Sequence, residues 1–158
     1  MERNAVYSED RKYRYMLVRL WDRSRPKCVF IGLNPSTANE LLNDPTVHRC
    51  QKYASEWGYG GLQMLNIFAF KATNPKKMLA AHDPVGEEND DWLSKICRSA
   101  GIVICAWGTH GGHRDRHLEV IQNLKELKVP LHCLGTTTKG FPKHPLYLKS
   151  DAKPIPFS

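Results

Sequence analysis

A chain of 158 residues, 41% apolar and 25% charged, is large enough for one well-buried core, and a single domain over residues 1–158 is expected. No apolar run comes near the ~20 residues of a membrane span, and the N-terminus has no signal-peptide core, so the expectation is a cytoplasmic monomer with no membrane partner. The formal net charge of +7 favours a polyanionic partner, either DNA (single- or double-stranded) or a nucleotide, although charge of this size also serves solubility alone.

Residues 1–26 read as an N-terminal strand extension. Within it, residues 13–21 mix aromatic, aliphatic and Arg residues in near alternation, which suits a strand with one exposed face. Arg25-Pro26 stops it. Residues 28–33 are a short continuous apolar run, the pattern of a central strand covered on both faces.

Asp44-Pro45 supplies an N-cap and a first-turn proline for a helix reaching about Trp57, with Val47, Cys50, Tyr53, Ala54 and Trp57 on one face. Residues 62–70 read as a second buried strand with Asn66 inside it. Asn74-Pro75 starts a short helix to about Ala81, and another helix is expected from about Asn89 to Ser99. Residues 102–107 form a third apolar strand, residues 115–128 a helix, and residues 131–134 a last strand. The tail, residues 151–158, reads as an extended surface segment. Strands alternating with helices predict an α/β protein, a three-layer α/β/α sandwich with a mostly parallel central sheet.

In such a sheet the carboxyl ends of the strands line one crevice, where distant segments can meet on one ligand. Gly32-Leu33-Asn34-Pro35-Ser36-Thr37 follows the first central strand. Its glycine permits close approach, its proline fixes the turn, and the Asn34 amide can hold a water or simply bond the backbone. Asn66 offers a donor and an acceptor side by side, equally fit to read a base edge or to cross-link loops. His144 stands between Lys143 and Pro145 after the last apolar segment. The loop at residues 108–116 can bind a phosphate through main-chain N–H groups and arginines, or be a solvated basic loop. Its His110 and His113, with His117 beyond, are loosely spaced beside Arg114 and Arg116, so no metal is expected. Cys28, Cys50, Cys97, Cys105 and Cys133 stand singly and read as reduced core thiols, and no cofactor is expected. Tyr13, Tyr15, Trp21, Phe68, Phe70 and Phe141 are the aromatics nearest the expected crevice, and one of them could stack on a base.

In this order the segments resemble the uracil-DNA glycosylase superfamily, from about Cys28 to Ser150. Gly32-Leu33-Asn34-Pro35 matches its water-activating loop, and Asn66 in Leu65-Asn66-Ile67 matches its pyrimidine-reading asparagine. Trp107-Gly108 ends the third strand as that superfamily does, and His144-Pro145-Leu146-Tyr147-Leu148 matches its late His-Pro motif. Asn34 replaces the aspartate of the fastest members, as in the mismatch-type branch. Leu146, Tyr147 and Leu148 replace the Ser-rich wedge, and the cysteines do not follow the iron–sulfur members. The whole chain also looks like a bacterial and phage family catalogued as a domain of unknown function.

The resemblance implies a DNA glycosylase that hydrolyses the N-glycosidic bond of a flipped uracil-like or modified base. Asn34 and His144 would be catalytic. Asn66, Gly32, Leu33, Pro35, Ser36, Thr37 and Phe68 would bind the base. Trp107, Gly108, Arg114, Arg116, Lys143, Pro145, Leu146, Tyr147 and Lys149 would hold the nucleic acid. A non-catalytic binder of modified nucleic acid and a hydrolase of free nucleosides or nucleotides are the other readings.

Overall fold

The computed structural model describes residues 1–157. Its strands are β1 (Glu2–Tyr7), β2 (Arg14–Leu20), β3 (Lys27–Gly32), β4 (Gly61–Asn66), β5 (Ile102–Cys105), β6 (His132–Cys133) and β7 (Ile155–Pro156). They form one sheet in the order β1-β2-β4-β3-β5-β6-β7. The helices are α1 (Pro45–Glu56), α2 (Pro75–Ala80), α3 (Asn89–Arg98) and α4 (Arg116–Glu126).

The protein is α/β, but its sheet is mixed rather than mostly parallel. Parallel pairing is confined to β4, β3, β5 and β6 in the centre. β1 pairs with β2, β2 with β4, and β6 with β7, all antiparallel. The β1–β2 connection is too short for a parallel crossover, which needs a dozen or more residues. The tail is extended and largely exposed, and it also forms a sheet edge: Ile155 pairs with Cys133, Phe157 N–H donates to the Leu131 carbonyl, and the Phe157 ring meets Trp107 edge-on.

Side-chain alternation along β3 divides the core. Val29 and Ile31 join Leu93 and Ile96 of α3 and Val120 and Leu124 of α4. Cys28 and Phe30 join Val47, Cys50, Tyr53 and Ala54 of α1 in a second cluster. Phe30, Tyr53 and Trp57 stack there with centroids 5.2–6.2 Å apart. All five cysteines are free and buried.

Both proline-led helix starts form. Asp44 Oδ1 accepts from Val47 N–H at 2.8 Å, and Asn74 Oδ1 from Lys76 N–H at 3.0 Å. Two strand expectations are corrected. β2 has no exposed residue, and loop 38–43 covers its two arginines: Arg14 and Arg19 are 2% and 1% exposed. β4 stops at Asn66 rather than Phe70: Ile67 and Phe68 N–H still donate to the Gly32 and Leu33 carbonyls, but the carbonyls of Asn66 and Ile67 turn to side chains. Asn89 Nδ2 donates to the carbonyls of Asn66 (2.9 Å) and Ile67 (3.2 Å), and Arg116 Nε donates to Ile67 at 2.9 Å.

Candidate functional site

After β3 the chain turns to α1 and on to β4 on one side; β5 lies on the other. A crevice opens where chain direction divides in this way, at the carboxyl ends of the strands. Here it is a cleft of about 720 Å³. Gly32, Leu33, Asn34, Ser36 and Thr37 line it from β3 and its loop, Asn66 from the end of β4, and Trp107 and Gly108 from the end of β5. His144, Leu146 and Tyr147 complete it from the late loop.

Asn34 is half-buried, and its Nδ2 donates to the carbonyls of Pro35 at 3.0 Å and Ala72 at 2.9 Å. With the NH₂ so committed, Oδ1 is the end left to accept from a ligand. Asn66 is 3% exposed, and its Nδ2 is buried with no partner among the described residues. Such a donor normally finds an acceptor, and leaving it without one costs about 1–3 kcal/mol.

His144 is held from two sides. Gly108, at φ +73°, donates its N–H to the Pro142 carbonyl at 2.8 Å, which docks the late loop on the end of β5. On the other side, Arg49 of α1 donates to the Leu148 carbonyl, and the Tyr53 hydroxyl donates to that of Lys149. His144 Nδ1 accepts from Leu146 N–H at 3.2 Å, so the ring proton sits on Nε2. Burial holds this imidazole below its ordinary pKa, against partial opposition from the Asp44 charge, and so favours the neutral ring.

Seven expected site residues lie outside the cleft lining. Phe68 is fully buried in the core against α3 and α4, where no base can reach it. Pro35 and Pro145 are buried as turn formers, the latter opening a short 3₁₀ turn. Arg116 is 2% exposed and pairs with Asp90 at 2.6 Å, so it anchors α4 rather than a phosphate. Exposed Arg114 donates to the carbonyls of Ala81 and His82 past the end of α2. Lys143 and Lys149 are exposed and remain free to meet solvent. Trp107 does line the cleft, but at 1% exposure its ring is core, packed against Gly111 and Phe157. The accessible aromatic is Tyr147, at 83% exposure, beside Leu146 at 45%.

Sequence reasoning missed Arg14, Met64, Thr46 and His110 in the lining. It also missed Asn89, which is fully buried and fixes the backbone at Asn66. An arginine amid Tyr13, Tyr15 and Leu17 was the available signal for a buried charge. Among the described residues no group of three His, Cys, Asp or Glu side chains could hold a metal ion, and no helix is long and apolar enough to cross a membrane.

No curated protein and no solved structure matches this chain. One family, Protein of unknown function (DUF1643), matches residues 14–146, and the chain belongs to it.

Proposed function

We propose that this DUF1643 protein recognises a base of nucleic acid and is a DNA glycosylase, hydrolysing the N-glycosidic bond of a flipped uracil-like or modified base. The observation that carries the reading is the meeting of Asn34, Asn66 and His144 in one cleft from three separate segments. A three-layer sandwich of the glycosylase type belongs to the same proposal. Helices packed on both sides of β3 support it.

Asn34 Oδ1 holds a water by accepting one of its hydrogens. The water oxygen bonds to C1′ as the bond from C1′ to the base nitrogen breaks. The base leaves with that electron pair and takes up the proton that the water sheds. His144 Nε2–H donates to the base oxygen on which negative charge develops, and Asn66 Nδ2 donates to the base edge. An amide cannot serve as a general base, so turnover is slow. Exposed Tyr147 and Leu146 at the mouth fill the space left by the flipped nucleotide. Exposed Lys76 and Lys77, directly after Pro75 of the lining, take the phosphate-gripping role expected of Arg114 and Arg116.

The internal commitments of Arg114 and Arg116 also favour a second reading, hydrolysis of a free nucleoside or nucleotide. Mass-spectrometric detection of free base separates the two. The protein and its Asn34→Ala variant are incubated with single- and double-stranded oligonucleotides bearing uracil, mismatched, deaminated and hypermodified bases, and with the matching monomers. Release from an oligonucleotide by the unmodified protein alone supports the glycosylase. Release from monomers alone supports the second reading. Salt-sensitive binding with no release leaves a non-catalytic binder.

A further inference from the structure

The cleft contains a charge that base recognition does not use. Arg14 of β2 is 2% exposed and lines the cleft. Its Nη1 donates to the Ala38 carbonyl at 3.0 Å, while Nε is buried with no partner among the described residues. It belongs to none of the ion pairs found among them. Asp44 also lines the cleft and its charge partly offsets the burial of the Arg14 guanidinium, but its carboxylate oxygens accept from Val47 N–H and Ala38 N–H and make no ion pair with Arg14. Burial lowers the Arg14 pKa to about 10, which leaves the guanidinium charged at neutral pH.

Arg19 provides the contrast. It is equally buried and braces the same loop, but spends Nε on Asn43, Nη1 on the Val18 carbonyl, and Nη2 on the carbonyls of Asn39 and Leu42. Bracing therefore accounts for Arg19 entirely and for Arg14 only through Nη1. A buried cation with an unused donor calls for an anion. Two neighbours favour one: Asn66 brings a second unpartnered donor to the cleft, and the first turn of the 12-residue helix α1 borders it through Pro45 and Thr46.

We infer that Arg14 forms an oxyanion subsite in this cleft, so that the occupant is a nucleoside unit bearing a charged oxygen group, a phosphate on the sugar or a carboxylate on the base. This rests on the reading that the cleft takes a nucleoside unit. A guanidinium edge suits either group, since both offer two oxygens in one plane.

Calorimetric titration of the full chain with deoxyuridine, deoxyuridine 5′-monophosphate and 5-carboxydeoxyuridine tests it. At least one anionic ligand is expected to bind about tenfold or more tightly than deoxyuridine. A preference for the monophosphate places the oxyanion on the sugar, and a preference for the carboxylate places it on the base. Arg14→Met removes the preference, and Arg14→Lys, which keeps the charge and lacks Nε, reduces it. Equal affinity of the unmodified protein for all three ligands overturns the subsite, whatever the variants do. So does a preference that survives Arg14→Met. Base release has no part in this titration, so the subsite and the glycosylase reading fail separately.

Discussion

Gly32 and Asn66 are partners across the parallel ladder of β3 and β4, and a Cβ on Gly32 would stand 2.9 Å from Asn66 Oδ1. Its next neighbours would be at an ordinary 3.9 Å, so the clash falls on the carboxamide alone. Gly32→Ala is therefore expected to turn the Asn66 side chain at a cost of about 1–3 kcal/mol, measured by urea denaturation. Base release should fall by more than this loss of stability explains. An unchanged rate and substrate profile would remove Asn66 from base reading.

Asn34→Asp tests which end of the amide matters. On resemblance alone it would restore the carboxylate of fast glycosylases. Here, however, Nδ2 donates to the carbonyls of Pro35 and Ala72, and a carboxylate oxygen in its place would face both with nothing to donate. The expected result is a loss of about 1–3 kcal/mol on denaturation with no gain in base release. Unchanged stability with faster release would mean that the amide sits the other way round.

Local signals carried much of the fold. Asp44-Pro45 and Asn74-Pro75 each mark a helix start because the cap and the proline act within one turn. The strand-end segments at Asn34, Asn66 and His144 meet because parallel strands share one carboxyl edge. Long-range partners were illegible. The near alternation of residues 13–21 suggested a strand with one exposed face, since loop 38–43, which covers Arg14 and Arg19, has no pattern of its own. Arg116 looked like a phosphate ligand, since its partners Ile67 and Asp90 lie in other elements. Phe68 shares apolar character with core and stacking positions alike, and only burial separates them.

His144 sets an acid limit. Its folded pKa lies below the unfolded value of about 6.5, so between the two the unfolded chain binds more protons. The stability that the neutral ring contributes is thus present above 6.5 and is lost as pH falls toward the folded value. Protonation also ends acceptance of the Leu146 N–H by Nδ1. A pH–rate profile of base release should be flat above neutrality and fall on the acid side, with His144→Gln slow and without that limb. A rate that rises as pH drops through 6 would identify imidazolium as the active form.

Arg116→Ala should be costly without touching the cleft. It removes the donor to the Ile67 carbonyl and the partner of Asp90 from a site that is 2% exposed. Leaving the Ile67 carbonyl without its buried donor costs about 1–3 kcal/mol, and the pair with Asp90, whose side chain is 53% exposed and can regain water, adds little. Thermal unfolding measures it. A loss under 1 kcal/mol, with weaker DNA binding, would return Arg116 to the nucleic-acid surface.

The salt dependence of DNA binding distinguishes gripping residues from bracing ones. Each phosphate neutralised contributes about 0.9 to the slope of log K against log salt on duplex DNA. Arg114 gives its guanidinium to the carbonyls of Ala81 and His82, so Arg114→Ala should leave the slope unchanged. Lys76→Ala and Lys77→Ala, at exposed positions beside the cleft lining, should each lower it by up to about 0.9. Fluorescence anisotropy across a salt series measures all three. A slope that drops for Arg114→Ala and stays fixed for both lysines would move the phosphate path from α2 to the loop before α4.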